Sequence, residues 1–205
     1  MSKDNSTPHA TASGRPLILG STSRYRKELL ARLCIPFQVE APEVDETPQA
    51  QEAPKDLALR LALAKARAVA KKYPDAVVIG SDQVADLEGE PLGKPGNHTN
   101  AVKQLKRMRG KTVIFQTALS VVCVATGFEQ TDLAAVKVTF RDLTDAEIES
   151  YLRAEEPYDC AGSAKSEGLG IALLDAIHSD DPTALIGLPL IRTCRMLRAA
   201  GLTLP

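Results

Sequence analysis

The sequence predicts an α/β fold built on a mixed β-sheet, on three observations. Two short runs, Leu17-Ile18-Leu19-Gly20 and Ala76-Val77-Val78-Ile79-Gly80, are apolar throughout, as strands covered on both faces are. A long helical pattern from about Pro54 to Lys72 lies between them, so strands and helices alternate in the first half. The middle of the chain then turns strand-rich, with Thr112–Val124 and Ala134–Phe140 joined near Gly127. No repeat and no linker divides the chain.

The elements follow in order. Residues 1–15, polar and small, read as a flexible tail without the apolar core of a signal peptide, and residues 16–205 as one domain. After the first strand, Ser23 is placed to cap a helix running from Arg24 to Leu33. Pro36–Val39 reads as a second short strand, and 41–54, rich in Pro, Glu and Gln, as a loop. The long helix shows an apolar stripe of Leu57, Leu61, Ala64 and Ala68, and Tyr73-Pro74-Asp75 ends it. A third helix spans Asn97–Met108 and stops near Gly110. Thr144 and Glu147 form the S/T-x-x-E pattern of a capping box for a helix through Leu152. Gly162–Gly170 is glycine-rich, and Leu190–Ala199 forms a closing helix.

Composition excludes several function classes. At 205 residues and 44% hydrophobic the chain can bury a full core, and no stretch approaches the ~20 apolar residues of a membrane span. Lys and Arg number 25 against 26 Asp and Glu, for a net charge of -1, without the basic surplus that nucleic acid demands. Cys34, Cys123, Cys160 and Cys194 are scattered, as are the three histidines, so neither a zinc site nor a disulfide framework is expected.

Several polar residues stand where ligand chemistry is expected. In Gly20-Ser21-Thr22-Ser23-Arg24-Tyr25-Arg26 a strand runs through a hydroxyl-rich turn into a helix N-terminus, which suits an anion held by backbone N–H groups, Ser21 and Arg26. The bland alternative is helix capping beside a solvated arginine. Asp45 and Glu46 in the acidic loop suit a hard cation, or are merely solvated. Lys65, on the buried side of its helix, either snorkels to water or meets a phosphate. Asp82 follows the apolar run by two positions, where open α/β sheets collect ligands, and can bind Mg²⁺ or position a water. Lys94 lies on a stiff Gly-Lys-Pro turn, and Lys165 and Glu167 in a glycine-rich loop that is not a Walker A motif.

LILGSTSRYR, APEVDET, LALAKA, VVIGSDQV, GKP, CAGSAKSEGLG and LIGLPL, in this order from Leu17 to about Leu197, resemble the Maf family of nucleotide pyrophosphatases. Each segment is weak alone, and their joint order and spacing are specific. The resemblance implies an elongated mixed sheet flanked by helices, with a cleft between two lobes, similar to inosine triphosphate pyrophosphatases. It implies a cytoplasmic enzyme using Mg²⁺ or Mn²⁺ at Glu46 and Asp82, with Asp82 as general base and Ser21, Arg26, Lys65 and Lys94 on the phosphates. Tyr25, Gln83 and Glu167 occupy the three specificity positions and resemble the subfamily acting on 7-methyl-GTP rather than on dTTP and UTP. In that reading Glu167, as a buried carboxylate, accepts from the guanine edge, Tyr25 offers a face to the cationic base, and Gln83 donates its amide to O6. Gly20 and Arg24 depart from the Ala and Pro common in the family. Homodimers are common in such proteins, and neither nucleic acid nor membrane is an expected partner. A rival reading is a partner-binding regulator of septum formation, a role associated with the family.

Overall fold

A computed structural model describes residues 14–204; most of the expected 1–15 tail lies outside them. Seven strands form one mixed sheet: β1 (Leu17–Gly20), β2 (Gln38–Glu40), β3 (Val77–Leu87), β4 (Glu90–Leu92), β5 (Thr112–Cys123), β6 (Phe128–Phe140) and β7 (Leu174–His178). The order is β2-β1-β3-β5-β6-β7, with β4 paired to β3. β1 pairs in parallel with β2 and β3, and every other pairing is antiparallel. Five helices accompany the sheet: α1 (Arg24–Ala31), α2 (Pro54–Lys72), α3 (His98–Met108), α4 (Asp145–Glu155) and α5 (Leu190–Ala199).

The expected caps form. Ser23 accepts from Arg26 N at the start of α1, and Thr144 and Glu147 close a reciprocal capping box on α4. The alternating faces of β1 and β3 explain their unbroken apolar runs. Leu17, Leu19, Val77 and Ile79 pack with Leu29, Leu30, Met196 and Leu197, from α1 and α5. Ile18 and Val78 pack on the other face against Ala66, Val69 and Ala70 of α2. A separate core gathers Leu105 and Met108 of α3, Phe115, Phe140, and Ile148 and Leu152 of α4. The long strands β3 and β5 run from one core to the other, and β3 passes along the cavity at Asp82, Gln83 and Val84.

Three expectations are corrected. The buried stripe of α2 is Leu57, Ala58, Leu61, Ala62, Lys65, Ala66, Val69 and Ala70, while Ala64 and Ala68 are only half-buried, because a whole face and not a single row meets the sheet. β3 does not end at Gly80 but continues through Leu87, and β6 begins at Phe128 rather than Ala134. Both extensions carry polar residues, the first at Asp82 and Gln83 where it lines the cavity and the second because it is only partly buried. β4 and β7 are short strands that periodicity did not signal.

Gly80 decides how closely α2 approaches the sheet. A Cβ there would lie 2.3 Å from Ala62 O and 2.5 Å from Ala66 N, so only glycine lets the helix rest on β3. Lys65 stands between those two contacts in sequence, and Asp82 lies two residues along β3, on the same face as Gly80.

Candidate active site

The cavity has a volume of about 690 Å³ and is lined from the turn after β1, the 42–48 loop, α2, β3, β4 and the 159–167 and 185–187 segments. The nine residues to which the resemblance gives site roles all line it, Ser21, Tyr25, Arg26, Glu46, Lys65, Asp82, Gln83, Lys94 and Glu167, whereas Asp45 and Lys165, also singled out from sequence, are not among its lining. Asp82 is not beyond the end of its own strand, as the sequence implied. It lies two positions past the point where β1, the parallel neighbour, stops, since pairing of β1 with β3 ends at Gly20 and Gly80. The end of β1 opens the crevice, and β3 carries the carboxylate across it.

Strand alternation sends Asp82 and Gln83 to opposite faces. Asp82 faces α2, where Lys65 Nζ donates to its Oδ1 at 2.6 Å. The same ammonium lies 2.8 Å from Glu46 Oε1. Lys65 therefore does not snorkel to water: its side chain is 6% exposed and bridges two acids. Arg26 stands nearby, half-buried, and donates to Gly187 O at 2.9 Å and to Ser21 Oγ at 3.4 Å. Desolvation lowers the Arg26 pKa, against the pull of Asp82 and Glu46, so all four charged groups share one electrostatic neighbourhood. Ser21 Oγ also accepts from Ser23 N at 3.2 Å. The hydroxyl-rich turn, the helix N-terminus and the arginine thus converge beside the ion cluster, as an anion site requires.

Sequence reasoning missed what holds Glu46 there. Arg60, on α2, grips the acidic loop: its Nε donates to Glu52 Oε1 at 2.6 Å, and its Nη2 to Glu52 Oε2 at 2.8 Å and Thr47 O at 3.1 Å. Asp45 does not face the ions but accepts from Thr47 N at 2.9 Å. The bidentate bond from Arg60 holds the Glu52 carboxyl down at about 2, well below its ordinary value. The signal in the sequence was an Arg five residues before Lys65, but its partner lies in a loop without periodicity.

The other face of β3 builds a second part of the cavity. Gln83 Nε2 donates to Thr117 Oγ1 at 2.9 Å and to the carbonyls of Ala184 and Leu185 at 3.0 Å. Carbonyl oxygens only accept, so they fix the amide's orientation. With Nε2 committed, Gln83 cannot donate to a ligand's O6, and the function it has left is the acceptor Oε1. That overturns the role given to it from sequence.

Tyr25 is partly buried, and its hydroxyl accepts from Arg24 Nη2 at 2.7 Å and donates to Asp159 Oδ1 at 3.4 Å. The Arg24 guanidinium lies 4.7 Å from the Tyr25 ring centroid, so one of the two faces expected to receive a cation is already taken. Burial raises the Tyr25 hydroxyl pKa and pushes the neighbouring Cys160 thiol up to about 11. Glu167 lines the cavity but is exposed, not buried as expected. Beside it, Lys165 is paired with Glu155 and so does not present a free cation to the cavity. Lys94 is exposed at the rim. Among the described residues no three His, Cys, Asp or Glu side chains gather as a metal cluster.

Comparison with known proteins agrees with the resemblance. A family model described as Maf-like protein matches residues 16–200. The chain is 71% identical over 194 residues to a protein of Polaromonas sp. strain JS666, covering 95% of this chain and 89% of the relative. It is 73% identical over 188 residues to one from Albidiferax ferrireducens, covering 92% and 94%, and 59% identical over 186 residues to one from Methylobacillus flagellatus, covering 91% and 97%. All three relatives carry the name 7-methyl-GTP pyrophosphatase. With its mixed sheet, its cleft and a match over nearly its whole length, the chain belongs to the Maf family.

Proposed function

We propose that this protein is a nucleoside triphosphate pyrophosphatase that hydrolyses 7-methyl-GTP to 7-methyl-GMP and pyrophosphate, acting in the cytoplasm on free nucleotide. One observation carries the reading. A single cavity joins a cluster of Asp82, Lys65, Arg26 and Ser21 to a second region lined by Tyr25, Gln83 and Glu167. The first suits a polyphosphate and the second a planar base with N–H donors and positive charge. The names of the relatives support the choice of nucleotide.

The donor set fits a divalent cation. Glu46 and Asp82 already share one cation, the Lys65 ammonium, so the pair can share another. Two carboxylates suit Mg²⁺ or Mn²⁺ held jointly with substrate phosphates. When bound, the metal supplies charge neutralisation and a more acidic water. The protein's own groups do the rest. Ser21, Arg26, Lys65 and Lys94 hold the phosphate chain and offset the charge that builds on the departing pyrophosphate. Asp82 accepts the proton of the water that attacks the α-phosphorus.

At the base, Glu167 and Gln83 Oε1 are both acceptors, and guanine presents N1–H and a 2-amino group. A uracil or thymine edge offers one N–H between two carbonyls, leaving an acceptor poorly paired at a cost of about 1–3 kcal/mol. The Glu167 carboxylate also favours the positive charge of a 7-methylated ring. Because Glu167 is exposed in the free chain, that discrimination requires the bound base to exclude water from it.

The test is Asp82→Asn. The amide keeps a hydrogen-bond acceptor for Lys65, which retains Glu46 as its ionic partner, so the variant folds. Its turnover, followed by pyrophosphate release, falls at least ~100-fold. A folded variant with near-native turnover refutes the assignment, and wild-type protein that turns over no nucleotide favours the septum-regulator reading.

A further inference from the structure

Lys65 is placed where a cation shared by two acids belongs. Its Nζ contacts Asp82 Oδ1 and Glu46 Oε1 together, at 2.6 and 2.8 Å, and its side chain is buried. These are the two carboxylates to which the proposed function gives the divalent cation. The ammonium takes one oxygen of each acid, and its charge repels a metal ion brought to the remaining two. Arg26 adds a second positive charge that senses both acids. Lys65 and Arg26 match Glu46 and Asp82 in charge, Arg60 also senses Asp82, and among the described residues no third acid joins them in a metal cluster. A divalent ion entering alone meets carboxylates that are already neutralised. It must displace a buried ammonium whose ion pairs, among the described residues, are with these two acids. A polyphosphate changes this, because its oxygens are new partners for the ammonium.

We propose that Lys65 is a resident counter-ion: it occupies the cation position between Glu46 and Asp82 in the nucleotide-free protein, and moves to the phosphates when nucleotide enters. Metal binding is thereby made conditional on nucleotide. The proposal rests on the metal-dependent reading above and adds an order of binding to it. It also explains why Lys65, a phosphate ligand in that reading, faces two acids in the free chain.

The experiment measures Mn²⁺ binding by electron paramagnetic resonance on wild type and Lys65→Met. Each is read without nucleotide and with a methylene-bridged, non-hydrolysable analogue of 7-methyl-GTP. A like charge within a few ångströms shifts the binding of a proton by 1–3 decades, so its removal improves Mn²⁺ affinity of the nucleotide-free protein by at least ~10-fold. The wild type gains at least as much only when the analogue is added. If Lys65→Met binds Mn²⁺ alone no better than wild type, while the analogue still enhances binding to wild type, the counter-ion role is overturned and the metal-dependent function stands. If wild type binds no Mn²⁺ even with the analogue and turns over fully in EDTA, the metal reading itself is overturned.

Circular dichroism and thermal unfolding verify that Lys65→Met is folded. A second measurement needs no variant. The ¹⁵N signal of the Lys65 ammonium in wild type stays unmoved by Mg²⁺ alone and shifts with Mg²⁺ plus analogue. An equal shift with Mg²⁺ alone overturns the proposal.

Discussion

Gly80→Ala tests how the fold positions the chemistry. The added Cβ would lie 2.3 Å from Ala62 O, 2.5 Å from Ala66 N and 2.9 Å from Ala66 Cβ. The first two are backbone atoms of α2, so no rotamer change relieves them. Restoring ordinary contact moves the helix off the sheet by about 1 Å, and overpacking of this kind costs ~1–3 kcal/mol. At ~2 kcal/mol the Tm of a chain this size falls by roughly 4–8 °C. The effect on turnover is the larger one. Lys65 rides on α2 between the two clashes, and its 2.6 Å contact with Asp82 lies two residues from Gly80 along β3. A displacement of about 1 Å at reacting groups is worth ~100-fold in rate. Turnover is measured well below both Tm values, so that unfolding does not contribute. Unchanged turnover with a lowered Tm refutes the claim that α2 sets the catalytic geometry, and an unchanged Tm refutes the packing argument itself.

Two further outcomes follow from the surroundings of the cavity. Glu52→Gln removes the bidentate grip of Arg60 on the loop carrying Glu46. It raises KM for nucleotide by about two- to fivefold, the scale of a partly exposed ion pair. The Glu52 carboxyl is depressed from 4.5 to about 2, so its contribution is complete above pH 4.5 and is lost as pH falls toward 2. Protease susceptibility of the 41–53 loop in wild type therefore rises across that window, whereas in Glu52→Gln it is already high and flat; a wild type equally susceptible at both ends contradicts the grip. Cys160, half-buried and with its thiol pushed up to about 11, reacts with iodoacetamide at pH 8 roughly tenfold more slowly than the exposed Cys34, its scarce thiolate being partly offset by that thiolate's greater nucleophilicity, although it lines the cavity. Peptide mass spectrometry reads both rates, and comparable labelling refutes the buried environment assigned to Cys160.

Much of the fold was legible because burial writes itself into the sequence. β1 and the first half of β3 are covered on both faces and read as apolar runs. The caps at Ser23 and Thr144 were visible because the residues that make them are local. The second half of β3 was hidden for the opposite reason. Ser81, Asp82 and Gln83 meet polar partners, and Asp82 and Gln83 line the cavity, so the strand loses its apolar signature where it becomes chemically interesting. The nine residues given site roles from the resemblance all line the cavity, but their partnerships were not legible. Lys65 with Glu46 and Asp82, Gln83 with the 184–185 carbonyls, and Arg24 on Tyr25 are contacts between side chains or loops with no periodic relation. Arg60 and Glu52 were missed for the same cause.

The central claim is that the acceptors facing the base select a methylated purine. Its most direct test is kcat/KM for 7-methyl-GTP, GTP, UTP and dTTP, read by pyrophosphate release, on wild type and Glu167→Gln. 7-methyl-GTP is expected to lead by a wide margin in wild type, and Glu167→Gln to lower its kcat/KM and narrow its lead over UTP, as loss of a charge-assisted pair requires. Equal rates for all four nucleotides in wild type, or a parallel decline of all four in Glu167→Gln with the ranking unchanged, would contradict it.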